Sequence, residues 1–292
     1  MTHAASARRW FHPDGPLPPA ARRAVEDMTY ELVPMKTLTA QIPHLPAGAR
    51  VSVTASPAKT LDDTLDLCAR LLELGHRPVP HLSARMVRDD AHARALVSRC
   101  IHLGLREVFC IGGDAAEPGG YPDAMAFLRD LLEIGAGSID TVGIAGYPDG
   151  HAVIPAGALR DALFEKQALL RDAGVSGFTS TQMCFSADAI RGWLETTRAD
   201  GFTMPVHLGV AGVVDRRRLL DMGMRLGVGT SLRYLKKNRS GLLRLFASKG
   251  YDPGTLIDPL ADDFARLAVT GLHTFTFNQV EATRAWQRSV LG

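Results

Sequence analysis

At 292 residues the chain could form one large domain or two small ones, and with 46% apolar and 22% charged residues it can bury a sizeable core. The 33 basic side chains are nearly balanced by 31 acidic ones, which excludes the strongly basic footprint of a nucleic-acid or membrane-surface protein. No apolar run approaches the ~18 residues of a membrane span, so neither nucleic acid nor membrane is expected as a partner.

The first 27 residues, opening MTHAASARRWFHPDG, lack the apolar core of a secretory signal. They are expected to form an arm, poorly ordered or packed on the domain that follows. Eight short apolar or β-branched runs then recur at 28–34 (MTYELVP), 50–56 (RVSVTAS), 77–83 (RPVPHLS), 106–112 (REVFCIG), 141–147 (TVGIAGY), 177–184 (GFTSTQMC), 205–212 (PVHLGVAG) and 272–278 (LHTFTFN). Helical periodicity separates them, as in 60–76, where Leu61, Leu65, Cys68, Leu71 and Leu72 share one face. Gly75, Gly104, Gly174 and Gly201 stand where helices should stop before the next strand. The interval 213–271 is irregular and holds two or three helical segments.

Strand and helix in alternation, with near-continuous apolar strands, predict a buried parallel sheet. Eight such units over 28–292 predict an α/β chain folded as a single-domain (β/α)8 TIM barrel. The alternative is an open doubly wound sheet, whose GxGxxG signature is missing after the first strand, where VPMKTLTAQ stands. The four cysteines, Cys68, Cys100, Cys110 and Cys184, are widely spaced without a CxxC pair, so a reduced, cytoplasmic protein without a zinc site is expected.

In such a barrel the chemistry sits at the C-terminal ends of the strands. Polar residues gather there: Glu31, Thr54, Ser56, His81, Ser83, the turn Gly112-Gly113-Asp114, Tyr147, Asp149, His151, Thr181, Gln182, Asn278 and Gln279. No Ser-His-Asp spacing, HxH or HExxH metal pair, or strand lysine for a Schiff base accompanies them. Each has a plain alternative. Glu31 could face a helix in an ion pair, His81 could be a hydrogen-bonded core histidine, and Asp114 could be turn chemistry. Tyr147 to His151 could be a turn with a capping histidine. Gln182 is harder to explain away, because an amide in a strand needs a partner.

In this order the stretches resemble the 5,10-methylenetetrahydrofolate reductase family: YELVPMK around Glu31, VSVTAS with Thr54, PHLSAR at 80–85, IGGD at 111–114, AGYPDGH at 145–151, TQMCF at 181–185 and HTFTFNQVE at 273–281. The resemblance spans about residues 28 to 290. It implies a barrel that reduces 5,10-methylenetetrahydrofolate to 5-methyltetrahydrofolate with NADH or NADPH, in one-carbon metabolism leading to methionine. Ring opening needs a general acid, and Glu31 matches the family's proton donor. Asp114 matches the aspartate that grips the pterin, whose ring N–H and amino donors suit a carboxylate, and its charge would also sit beside the iminium cation. Gln182 matches a pterin-contacting amide, and Phe275, Asn278 and Gln279 fall in the last matching stretch on the substrate side. Phe275 and Phe277 could stack on a ring or simply pack the barrel. Thr54, His81, Gly112, Gly113, Tyr147 and His151 are expected on the cofactor side.

Departures bear on the cofactor. Flavin-dependent members of the family commonly have Arg-Gly-Asp where Gly112-Gly113-Asp114 stands, and polar residues along the helix after the Tyr-Pro stretch. Here that helix is AGALRDALFEKQALL, with Lys166 as a partial survivor. The phrases SPAK, ARMVRD, IGGDAAEP and GVVDRRRLL resemble the flavin-free branch, so FAD is disfavoured and direct hydride transfer from NAD(P)H is expected. An FAD-dependent relay and a tetrahydrofolate-binding protein without redox activity are the rivals. GVGTSLRYLKKNR at 227–239 is either an anion-binding turn and basic helix or a solvated basic helix. The sequence is compatible with a homo-oligomer and leaves the choice between NADH and NADPH open.

Overall fold

The computed structural model describes residues 16–56, 58–215, 219 and 251–292. Eight parallel strands close into a barrel in chain order: β1 Thr29–Leu32, β2 Arg50–Val53, β3 Arg77–Ser83, β4 Glu107–Ile111, β5 Thr141–Gly146, β6 Ser176–Thr181, β7 Val206–Ala211 and β8 Val269–Phe275. Closure is made between β8 and β1, with Thr29 opposite His273 and Glu31 opposite Phe275. The expected single-domain (β/α)8 TIM barrel is therefore the observed architecture.

The helices are α1 Pro19–Glu26, α2 Leu61–Glu73, α3 Asp90–His102, α4 Ala124–Ile134, α5 Ala156–Asp172, α6 Ala187–Ala199, α7 Gly254–Ile257 and α8 Val280–Leu291. Thr60, Asp89, Asp123 and Ser186 start α2, α3, α4 and α6 by accepting backbone N–H bonds at the helix N-termini. The expected helix-ending glycines all have positive φ, from 67° at Gly174 to 94° at Gly201. Among the described residues, no helix is long and apolar enough to cross a membrane.

Period-2 alternation gives the barrel two distinct cores. Outward residues such as Val51, Val53, Leu82, Val108, Val142, Ile144, Leu208 and Leu272 join the helices in one large apolar layer. Inside the barrel Val79, Phe109 and Phe178 form a separate cluster, with Ile111 and Ala145 against it. Gly143 makes room for this plug, since a Cβ there would come within 2.3 Å of both Phe109 and Phe178. All four cysteines are buried thiols outside any disulfide, with Cys110 on β4 and Cys184 just beyond β6. Burial pushes the Cys100 and Cys110 thiols up to about 12.

At the N-terminal end, Arg50 bonds to Glu107 and to Thr29 and lies 3.2 Å from His207 Nδ1, a polar bolt through β1, β2, β4 and β7. Its guanidinium also sits 4.8 Å from the Phe178 ring centroid. A cavity of about 540 Å3 opens beneath, lined by Arg50, Arg77, Glu107, Phe178 and His207 among others.

Three expectations meet the structure with differences. Of the arm expected over 1–27, Pro19–Glu26 is helix α1, with Ala21 and Ala24 fully buried and Val25 O bonded by Gln287 Nε2 of α8 at 2.6 Å. The last strand starts at Val269 rather than 272, because Gly271 is no break: its missing Cβ admits the His207 ring, 2.9 Å from where that atom would be. In the irregular interval the described residues form α7 and a 3-10 turn, Asp258–Asp263, while 227–239 lies outside the described residues.

Candidate active site

The C-terminal half of the barrel holds a buried cluster of titratable side chains, Glu31, His81 and His273. Glu31 points inward from β1 and is 8% exposed. Its Oε2 lies 2.8 Å from Nε2 of His273 on β8, a ring only 3% exposed. Glu31 does not face a helix in an exposed ion pair. Its main chain is fixed as well, since Thr276 Oγ1 donates to Glu31 O at 2.5 Å.

His81, on β3, is also buried, with Nε2 2.5 Å from Ser52 Oγ of β2 and its ring 4.7 Å from Phe109. Burial, reinforced by the neighbouring His273, holds it well below the ordinary histidine value, so the ring is neutral near pH 7. Burial likewise lowers His207, to about 3. The ligand-type atoms of Glu31, His81 and His273 all lie within 4.8 Å of one another. A carboxylate and two imidazoles are a donor set that a transition metal could take. Each ring already has a hydrogen-bonding partner, however, so the geometry equally suits a cluster that holds and moves a proton.

Around this cluster lies a polar rim. Thr54 Oγ1 and Ser180 Oγ are buried with no hydrogen-bonding partner among the described residues. Gln182 turns its Oε1 back to accept from Met183 N at 2.8 Å, which leaves the Nε2 donors available. Phe275 faces inward, 8% exposed, with its ring 5.1 Å from that of His273. Asp114 is exposed on the loop after β4. Tyr147 lies near it, and burial together with the Asp114 charge raises the Tyr147 hydroxyl above its ordinary value.

The glycine turn before Asp114 is shaped by Ser83. Gly113 has φ +87°, and a Cβ there would fall 1.8 Å from Ser83 Oγ. Ser83 Oγ in turn donates to Gly112 O at 3.4 Å. A side chain at Gly112 would meet open space, so a flat ring can approach the backbone there.

Two expected site residues are engaged elsewhere. The Asn278 amide is clamped to the main chain of Val33, accepting from its N at 3.0 Å and donating to its O at 2.9 Å. Both ends of the amide thus brace the main chain after β1. His151 Nδ1 accepts from Val153 N and Ile154 N, both at 3.3 Å, while its ring lies edge-on to Tyr147. The capping alternative describes that nitrogen, and only Nε2 is left for a cofactor. Gln279 is the N-cap of α8, and the first N–H of that helix, at Val280, donates to Gln41 Oε1 at 2.9 Å.

His273, Ser52 and Ser180 are the site residues that the sequence reading missed. Ser52 had a signal, a lone hydroxyl alternating with the outward Val51 and Val53, whereas Ser180 stands in the hydroxyl-rich run Ser-Gly-Phe-Thr-Ser-Thr and had none. His273 had a weaker one, since placing the strand start at 272 made it look like a strand-end residue.

Lys166, the one basic residue expected to survive on α5, has its ammonium lowered by burial and faces Cys110 and Asp123. The exposed first turn of α5 carries Ala156, Gly157 and Ala158. That turn offers a diphosphate no cationic side chain.

The family model for methylenetetrahydrofolate reductase matches residues 26–224. Among solved structures, oxaloacetate acetylhydrolase in complex with 3,3-difluorooxalacetate aligns at TM-score 0.46 and 10% identity, covering 91% of this chain and 82% of its own. The carboxyl transferase domain of Rhizobium etli pyruvate carboxylase, with pyruvate, aligns at TM-score 0.47 and 11% identity, covering 93% of this chain and 48% of its own. At such scores and identities these likenesses say nothing about chemistry.

Proposed function

The chain belongs to the methylenetetrahydrofolate reductase family, and from that premise we propose that it reduces 5,10-methylenetetrahydrofolate to 5-methyltetrahydrofolate with NAD(P)H, without flavin. The carrying observation is Glu31: a buried carboxylic group at the catalytic end of the barrel, bonded to His273 and facing inward. Opening the five-membered ring requires a proton on the departing nitrogen, and Glu31 would give it. His273 holds that carboxyl group in one orientation. Asp114 would pair with the pterin donors and offset the positive charge of the iminium left by ring opening. Gln182 Nε2 supplies a further polar contact at the same rim.

The nicotinamide supplies the hydride that turns the one-carbon unit into a methyl group. Gly112, Gly113 and Tyr147 are the residues proposed to lie beside its ring. Glycine at 112 and the small, uncharged first turn of α5 support the flavin-free route over an FAD relay.

Two measurements test this reading. Glu31→Gln should leave tetrahydrofolate binding nearly intact and lower turnover by at least ~100-fold, the scale of general acid catalysis. Turnover within a few-fold of wild type removes Glu31 from the mechanism. Folate binding by a wild type that oxidises no NAD(P)H would instead leave a binding protein. The visible spectrum decides the cofactor: a stoichiometric flavin band at roughly 450 nm in the purified protein would sink the flavin-free route.

A further inference from the structure

We propose that Arg85 is the positioning residue for Asp114, fastening the β4–α4 loop so that the carboxylate is held for the pterin; this rests on the folate reading above. The Asp114 side chain accepts no hydrogen bond from the described residues, so its place is set by its backbone alone. That backbone belongs to a stretch, 112–123, with no helix or strand of its own.

Arg85 brackets the stretch from both sides. Its N donates to Gly112 O at 3.0 Å, two residues before Asp114. Its guanidinium donates from Nε to Ala115 O at 2.7 Å and from Nη2 to Ala116 O at 2.8 Å, the two residues that follow Asp114. The third nitrogen, Nη1, reaches Pro122 O at 3.3 Å, where the loop enters α4. Gly119 N returns a bond to Arg85 O at 3.0 Å, and Gly120 N bonds to Val87 O at 2.8 Å.

This arrangement also explains the second glycine pair. A Cβ at Gly119 would lie 2.1 Å from Val87 O, and one at Gly120 would lie 3.0 Å from Arg88 O. The pair lets the loop backbone lie directly on the segment that carries Arg85. Three carbonyls converging on one cation need a planar fork with separate donors, and a lysine ammonium cannot span them. The main-chain bond from Arg85 to Gly112 survives any change of side chain, whereas the guanidinium ties only the part of the loop after Asp114, so loss of the fork should fall on folate rather than on NAD(P)H.

The test uses Arg85→Lys and Arg85→Met, each alone and with Asp114→Asn, and reads hydrogen exchange together with dissociation constants for tetrahydrofolate and NADH. Exchange should quicken in 115–123 and stay unchanged elsewhere. Arg85→Lys should weaken tetrahydrofolate about tenfold and leave NADH within about twofold. If Arg85 acts through Asp114, the double variant binds folate no more weakly than Asp114→Asn alone. Should Arg85→Met fail to fold, the milder lysine variant carries the same readouts. Unchanged loop exchange, additive losses, or an equal loss of NADH binding would overturn the role of Arg85. A wild type that binds no tetrahydrofolate would overturn the folate reading itself, a separate and recognisable failure.

Discussion

Gly113 and Ser83 show how tightly single residues set this site. With φ at +87° and Ser83 Oγ where its Cβ would be, Gly113 cannot carry a side chain without moving either itself or Ser83. Left-handed backbone alone costs a non-glycine residue about 1–2 kcal/mol. Gly113→Ala should therefore shift Asp114 and weaken tetrahydrofolate binding by at least about tenfold. Adding Ser83→Ala should recover part of that loss, measured by titration with tetrahydrofolate, because it removes the clash but not the strain. The importance of the glycine turn was legible in the sequence, since Gly-Gly-Asp after a strand marks a close backbone approach. The reason for it was not, because Ser83 lies 30 residues earlier and only the β3–β4 register brings the two together.

Among the elements, the strands were the most legible, because their apolar runs are buried on both faces and bounded by glycine-capped helices. What periodicity could not reveal was which polar residue braces and which one is free for a ligand. Asn278 looks like a site amide in sequence, yet it fastens the exit of β1 to the exit of β8 through Val33. It does so with φ +56°, a conformation asparagine tolerates better than most residues. Asn278→Ala loses both bonds and strands two part-buried backbone groups, so a destabilisation of about 2–3 kcal/mol is expected in a denaturant titration. Asn278→Gly should be intermediate, since it relieves the backbone but restores neither bond. If alanine at 278 left stability unchanged while weakening folate, the amide would be a ligand contact after all.

For the whole molecule, the same burial that builds the barrel leaves one acid in a costly place. Burial, with the nearby charge of Asp258, pushes the Asp252 carboxyl up to about 6 against the pull of the Gly254 N–H. The native state then holds this proton more tightly than the unfolded chain, whose value is 3.8. The contribution of Asp252 to stability is therefore fully present below about pH 4 and is lost as pH rises through about 6. Asp252→Asn keeps an acceptor for Gly254 N and removes the buried charge. It should stabilise the protein at pH 7.5 by ~1–2 kcal/mol after allowance for solvent screening, seen as a Tm roughly 2–4 °C higher. At pH 4 the two proteins should melt together, and an equal gain at both pH values would point to packing instead. None of this was visible in sequence, where Asp252 stands in an ordinary Tyr-Asp-Pro-Gly turn. The pairing of Glu31 with His273 has a consequence in time as well. The two residues are 242 positions apart, on the first strand and the last. A nascent chain that has emerged only as far as β7 carries the acid without the histidine that orients it, and β1 still has a free edge. The final strand thus seals the sheet and pairs Glu31 with His273 in one event, so on the proposed role of Glu31 the onset of turnover during refolding would report barrel closure itself.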